Sequence, residues 1–122
     1  NIHKLQHIVG KPLTKANAAA EAKALLSVGV EQVLLTLGAD GMVLLSENGT
    51  VVADAPQVKV KSTVGAGDSA LAGFIVGFVK GNPAAECVRL ASACGTACAQ
   101  CDGTGVATKD AAAACLPSIT VE

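Results

Sequence analysis

Aromatic residues are nearly absent from this 122-residue chain, which holds two Phe and neither Trp nor Tyr. Proteins that bind single-stranded nucleic acid stack bases on aromatic side chains, and most nucleic-acid binders carry a strongly basic surface. Here the net charge is −1. The composition therefore argues against nucleic acid and against an anionic membrane surface as partners. With 51% hydrophobic residues, the core must be built from Ala, Val, Leu and Cys.

Targeting and membrane signals are also missing. Residues 1–10 lack the basic and apolar regions of a secretory signal, and the apolar run at residues 71–79 is too short to span a bilayer. Five cysteines without framework spacing favour a reducing, cytoplasmic setting. The length allows one domain, residues 1–122. The chain lacks an initiator Met and begins on sequence typical of a domain interior, which predicts a fragment of a longer protein.

The most informative segment present is STVGAGDSA, residues 62–70, which leads into the apolar run. We call residues 62–67 the glycine loop. Small residues let backbone N–H groups form an anion-binding nest, and a following helix adds its free donors and dipole. A carboxylate at Asp68 would repel a phosphate that is merely held there. It fits a base that takes a proton from a hydroxyl during phosphoryl transfer.

This interpretation has three alternatives. A Walker loop needs Gly-x-x-x-x-Gly-Lys-Ser/Thr, which the chain does not contain. Residues 65–70 match the dinucleotide fingerprint Gly-x-Gly-x-x-Gly/Ala, but Asp68 would face the pyrophosphate and another helix follows. The third alternative stays open: a tight loop that lets a helix pack closely, with Asp68 as an ordinary N-cap.

The hydrophobic patterns predict a mixed α/β fold, a sheet covered by helices. We expect a helix at residues 14–27, ended by Gly29, then strands at 32–37, 42–46 and 51–53 with a hairpin at Asn48-Gly49. An extended segment at 56–61 leads to helices at 68–80 and 83–100, and Thr108 caps a last short helix.

Residues 63–69 with the following Ala72-Gly73-Phe74 resemble the C-terminal signature of the ribokinase-like sugar kinases, the phosphofructokinase B family. The TLGADG segment at residues 36–41 resembles that family's nucleotide-loop motif. The residue sequence of the glycine loop and the later GTG at 103–105 are most similar to the branch of 1-phosphofructokinase and tagatose-6-phosphate kinase. The resemblance implies the C-terminal, nucleotide-binding portion of a ribokinase-like fold, without the sugar pocket.

The resemblance also implies an activity. ATP with Mg²⁺ would donate a phosphoryl group to a hydroxyl of a ketohexose phosphate, such as fructose 1-phosphate going to fructose 1,6-bisphosphate. Nucleotide and sugar phosphate would be the partners, with a homodimer possible in the full-length form. Tagatose-6-phosphate kinase activity is one alternative. Another is a catalytically silent nucleotide- or anion-binding fragment.

Site residues follow from the resemblance position by position. Asp68 would be the catalytic base, and the amides of Gly65, Ala66 and Gly67 would form the anion hole. The residues expected to bind nucleotide are Thr36, Gly38, Ala39, Asp40, Gly41, Ser92 and Gly95. The chain departs from the family's Asn-x-x-Glu motif, since Lys4 replaces the Glu. We therefore assign no metal ligand, with Asn1 as an indirect candidate only.

Four cysteines raise a competing metal hypothesis. Cys87, Cys94, Cys98 and Cys101 fall on one face of a predicted helix. A closed tetrahedral site normally draws ligands from two elements, so core packing is the favoured interpretation. We expect Cys115 to pack in the core too, and His3 and His7 to be surface residues.

Overall fold

The computed structural model describes the backbone of residues 1–122 and every side chain except that of Lys15. Its helices and strands are α1 (Ile2–Val9), α2 (Lys15–Lys23), β1 (Gln32–Thr36), β2 (Met42–Ser46), β3 (Gly49–Ala53), α3 (Ala66–Val79), α4 (Ala84–Ala99) and α5 (Lys109–Cys115). Short 3₁₀ turns lie at Ala24–Val28, Gly38–Asp40 and Leu116–Ser118.

The three strands form an antiparallel meander in the order β1-β2-β3. The register pairs Leu34 with Leu44 and Leu44 with Val51. The central strand β2 is buried from Met42 to Leu45. Since successive side chains of a strand point to opposite faces, both faces of the sheet must be covered. The predicted α/β fold, a sheet covered by helices, is confirmed.

Two apolar clusters lie on opposite faces of the sheet. Met42 and Leu44 pack with Ala70 and Val88, from the helix pair α3 and α4. Val43 and Leu45 pack instead with Leu5, from α1, and with α2. The alternation along β2 thus assigns one layer to the N-terminal helices and the other to the helices that follow the glycine loop.

Helices α3 and α4 pack closely because α3 presents glycines to α4. A Cβ on Gly73 would lie 2.8 Å from both Cys94 Sγ and the Leu90 carbonyl oxygen, so a larger residue would push the helices apart. The outward face of α3 remains apolar, with Leu71 and Ile75 each half exposed and Phe78 59% exposed.

The structure corrects several boundaries and adds one element. Helix α1 was not among the predicted elements. Asn1 caps this helix, since the Asn1 Oδ1 accepts the Lys4 N–H at 3.0 Å. The predicted helix at 14–27 becomes a 3₁₀ turn after Lys23, although Gly29 ends it in the left-handed conformation as expected. Residues 56–61 join no strand. Helix α3 begins two residues early, at Ala66.

Among the described residues, no helix is both long and apolar enough to cross a membrane.

Candidate functional site

The glycine loop turns the chain into α3 through a left-handed residue. Gly65 has φ 78° and ψ −4° and is the N-cap of the helix. The Ala66 N–H donates to the Thr63 carbonyl at 3.3 Å, and the Ser69 N–H donates to the Gly65 carbonyl at 2.8 Å. In the described part of the chain, no acceptor is bonded to the N–H groups of Gly65, Gly67 or Asp68. These free donors at the positive end of a helix dipole suit an anion.

Asp68 is exposed and is the third residue of α3. Asp68 is not the N-cap that the packing alternative assigned it, because Gly65 occupies that position and none of the described side chains caps the helix. None of the described side chains pairs with its carboxylate. The carboxylate is therefore free to meet a ligand at the end of the helix that carries the unbonded amides.

The turn between β1 and β2, residues 36–41, is held by its own backbone. The Leu37 N–H donates to the Gly41 carbonyl at 2.8 Å, and the Gly41 N–H donates to the Gly38 carbonyl at 3.2 Å. Thr36 at the end of β1 is half-buried, whereas Gly38, Ala39 and Asp40 are exposed. The turn thus presents an open surface, as the expected nucleotide contact requires.

Helix α4 connects this turn to the glycine loop. Ser92 is 1% exposed, and its hydroxyl donates to the Asp54 carbonyl at 3.0 Å. Asp54 in turn packs against Gly41, since its Cα lies 3.0 Å from where a Cβ of Gly41 would be. One turn along α4, a Cβ on Gly95 would lie 3.2 Å from the Ala66 carbonyl oxygen. Residues three apart share a helix face. One face of α4 therefore packs against both the support of the turn at residues 36–41 and the glycine loop.

The structure therefore places Ser92 and Gly95 in packing contacts, the commoner function of small residues on an Ala-rich helix. The serine side chain is enclosed between α4 and the end of β3, so we do not carry it into the proposed site. Whether Gly95 contacts nucleotide stays a prediction. The sequence signal for these contacts was the pair of small residues at i and i+3, Ser92 and Gly95, on one face of a predicted helix.

The cysteines are free thiols: Cys87, Cys94 and Cys98 lie on α4, Cys101 follows it, and Cys115 ends α5. Burial raises the pKa of the Cys87, Cys94 and Cys115 thiols above the ordinary value, which favours their protonated form, whereas metal ligation needs the thiolate. No group of three or more His, Cys, Asp or Glu among the described residues could hold a metal ion. Asn1 uses its side-chain oxygen to cap α1.

Two clefts in the surface lie away from the glycine loop. One of about 420 Å³ is lined by Lys23, Leu26 and Glu47 among others, and one of about 440 Å³ is lined by Gln32, Phe74 and Phe78 with their neighbours. Neither includes a residue of the glycine loop or of the turn 36–41. The candidate site lies at the start of α3, where Gly67 and Asp68 are exposed.

The family model described as pfkB family carbohydrate kinase matches residues 1–111. The chain belongs to the pfkB family. Among curated relatives of this pfkB-family chain, the 1-phosphofructokinase of Bacillus subtilis is 33% identical over 122 residues, which cover 99% of this chain and 40% of that protein. The 1-phosphofructokinase of Haemophilus influenzae is 39% identical over 95 residues, covering 76% and 30% of the two chains.

Solved structures agree with this membership. Phosphofructokinase-2 from Escherichia coli, in complex with substrates and products, superposes with a TM-score of 0.87 at 26% identity, over 96% of this chain and 38% of that one. Ribokinase from Arabidopsis thaliana, complexed with ribose and ATP, gives 0.85 at 28% identity, over 95% and 39%. The pfkB-family chain spans 40% or less of the length of these relatives. Its ribokinase-like architecture is thereby confirmed.

Proposed function

We propose that this chain is the nucleotide-binding and catalytic portion of an ATP-dependent sugar-phosphate kinase. One observation carries the proposal: the first turn of α3 places the exposed carboxylate of Asp68, which pairs with no described side chain, beside N–H groups that donate to no described acceptor. Family membership and relatives named 1-phosphofructokinase support it. The acceptor would be a hydroxyl of a ketohexose phosphate, with fructose 1-phosphate first and tagatose 6-phosphate second.

In the proposed reaction, the Asp68 carboxylate accepts the proton of the acceptor hydroxyl. The freed oxygen bonds to the γ-phosphorus of ATP as the bond to the β-phosphate oxygen breaks. The N–H groups of Gly65 and Gly67, with that of Asp68 itself, donate to the phosphoryl oxygens whose charge must be offset. Ala66 contributes less than expected from the sequence, because its N–H already bonds to Thr63.

ATP fits these donors, since a helix start with unbonded amides is an anion site. The turn 36–41, open to solvent at Gly38 to Asp40, is where we propose that the nucleotide lies. Mg²⁺ would enter with the nucleotide phosphates, because no described cluster of side chains provides a metal site. When bound, it would supply charge neutralisation at the phosphates.

A further segment of the full-length protein would supply the sugar-phosphate pocket. Two observations support this: the chain covers 40% of its B. subtilis relative, and the face of α3 formed by Leu71, Ile75 and Phe78 is exposed and apolar. Large exposed apolar faces on a small domain mark contact surfaces. A specific feature favours a second candidate, a silent nucleotide-binding module: Lys4 carries a positive charge at the position of the family's Glu.

The test is Asp68→Asn in the full-length protein, with steady-state kinase assays on fructose 1-phosphate and tagatose 6-phosphate. Loss of a general base lowers kcat by about 10²- to 10⁴-fold, while ATP affinity measured by calorimetry should stay within about twofold. Asp110→Asn is the matched control, because Asp110 is also an exposed aspartate in the first turn of a helix. It should leave both quantities unchanged.

Two outcomes would overturn this function. Unchanged kcat in Asp68→Asn would remove the base from the mechanism. Tight ATP binding by the wild-type protein without transfer to either sugar phosphate would favour the silent module.

A further inference from the structure

A buried thiol lies directly beneath the glycine loop. Cys98, near the end of α4, is 3% exposed. Its Sγ lies 3.7 Å from the Val64 carbonyl oxygen and 3.6 Å from the Gly105 carbonyl oxygen. A thiol carries one proton, so it donates to one of these oxygens at a time. Cys98 thereby links the glycine loop to the turn at residues 102–105.

The Val64 carbonyl belongs to the same peptide unit as the Gly65 N–H. A trans peptide unit is planar, with its C=O and N–H pointing in opposite directions, and the structure holds no cis peptide bond among the residues it describes. The contact with Cys98 turns the Val64 oxygen toward α4. The Gly65 N–H must then point away from α4, where no described group accepts it.

Without this contact, no described hydrogen bond to the C=O or N–H of the Val64–Gly65 unit itself would oppose its rotation. Gly65 has φ 78°, and glycine tolerates positive and negative φ almost equally. A rotated unit would present the Val64 carbonyl oxygen to an anion in place of the Gly65 N–H. Rotation of this one peptide unit would therefore replace a hydrogen-bond donor by an oxygen that repels the anion.

The neighbouring contacts hold the loop but not this unit. The N–H groups of Lys61 and Ser62 donate to the Ala99 carbonyl at 2.8 and 3.3 Å. The Lys61–Asp102 ion pair at 3.2 Å is well exposed, and pairs of that kind contribute little. Within the described part of the chain, Cys98 is the side chain that contacts the Val64–Gly65 unit itself through a hydrogen bond.

We propose that Cys98 is a positioning residue that fixes the orientation of the Val64–Gly65 peptide and so aims the Gly65 N–H at the transferred phosphoryl group. Its catalytic consequence rests on the proposed function, whereas the orientation of the peptide does not. The two are tested by separate measurements.

The design compares two cysteines three residues apart. Cys98→Ala removes the donor to Val64. Cys101→Ala is the matched control, because the Cys101 thiol, just past the end of α4, donates to the Ala97 carbonyl of that helix at 3.5 Å. The substitution keeps the Cys101 Cβ that packs beside Gly105. Cys98→Ser retains a hydrogen-bond donor and should recover part of any loss.

The first measurement is the orientation of the Gly65 N–H vector, from NMR residual dipolar couplings on the full-length protein. Wild type and Cys101→Ala should share the vector described above, and Cys98→Ala should show a different or averaged one. A wild-type vector directed toward α4, or one unchanged in Cys98→Ala, overturns the proposal. If Cys98→Ala does not fold, the wild-type vector and Cys98→Ser decide.

The second measurement is kinase activity of the same variants in the full-length protein. We expect Cys98→Ala to lower kcat by between about 10-fold and 100-fold, the range for a misplaced catalytic group. KM for ATP should change less than about twofold, and Cys98→Ser should be intermediate. Equal kcat in Cys98→Ala and Cys101→Ala would refute the positioning function. A wild-type protein inactive on both sugar phosphates would refute the kinase proposal and leave the peptide orientation standing.

Discussion

Gly41→Ala offers the sharpest test of how the turn at residues 36–41 is built. Gly41 has φ 89° and ψ −142°, a conformation that only glycine adopts readily. A Cβ there would lie 2.1 Å from the Ala53 carbonyl oxygen and 3.0 Å from both Ala55 N and Asp54 Cα. All three neighbours are backbone atoms, so no side chain can rotate away to make room.

The cost follows from these two effects. Backbone strain of this kind costs about 1–3 kcal/mol, and overpacking against a fixed neighbour costs about 1–3 kcal/mol more. We expect the free energy of unfolding to fall by about 2–6 kcal/mol, a large part of the 5–15 kcal/mol typical of a domain. Urea denaturation followed by circular dichroism measures the loss.

Gly38→Ala, in the same turn, separates the effect of backbone strain from that of the steric collision of the new Cβ. Gly38 also has a positive φ of 63°, but a Cβ there would meet nothing within 4 Å. Only the left-handed penalty of about 1–2 kcal/mol should apply. Equal losses in the two variants would refute the collision at Gly41, and with it the close approach of the turn to the end of β3.

Two further predictions concern the buried side of the molecule. Ser92→Ala removes the donor to the Asp54 carbonyl and should lower the free energy of unfolding by about 1–3 kcal/mol, the cost of a buried unpaired group; urea denaturation that gives a loss below about 0.5 kcal/mol would contradict the bond's importance. The raised pKa values of the Cys87, Cys94 and Cys115 thiols mean that above the ordinary pKa of 9.0 the unfolded chain loses these protons while the folded chain retains them. Stability should therefore decline as pH rises through and beyond 9.0. Melting temperatures measured across that range should show a shallower decline in Cys94→Ala, and identical slopes would contradict the assignment.

Sequence patterns predicted the elements whose signals are local. Short runs of β-branched residues and Leu located the strands, Asn48-Gly49 marked the hairpin, and Thr108 capped α5, where its Oγ1 accepts the Ala111 N–H at 3.1 Å. Helix α1 was missed because its eight residues form a short amphipathic segment with a single buried side chain, Leu5. Its stability depends on the sheet face that Leu5 covers.

The candidate site divides in the same way. The sequence alone predicted Asp68 as a site residue, because a carboxylate at a helix start after small loop residues is a pattern of neighbouring positions. The sequence could not predict which backbone N–H groups stay free of hydrogen bonds. The Ala66 N–H donates to the Thr63 carbonyl because of how the loop turns. The roles of Ser92 and Gly95 also depend on contacts with residues 38 and 29 positions away, respectively.

By itself, the sequence determined the class of fold, the family motifs and the carboxylate proposed as base, since each depends on spacing within a few residues. The tertiary structure decided which donors face outward and what holds them there. Close packing of α3 on α4 brings Cys98 beneath Val64, and the planarity of one peptide unit then directs the Gly65 N–H outward. Such an arrangement arises only when distant segments meet, so no local pattern encodes it.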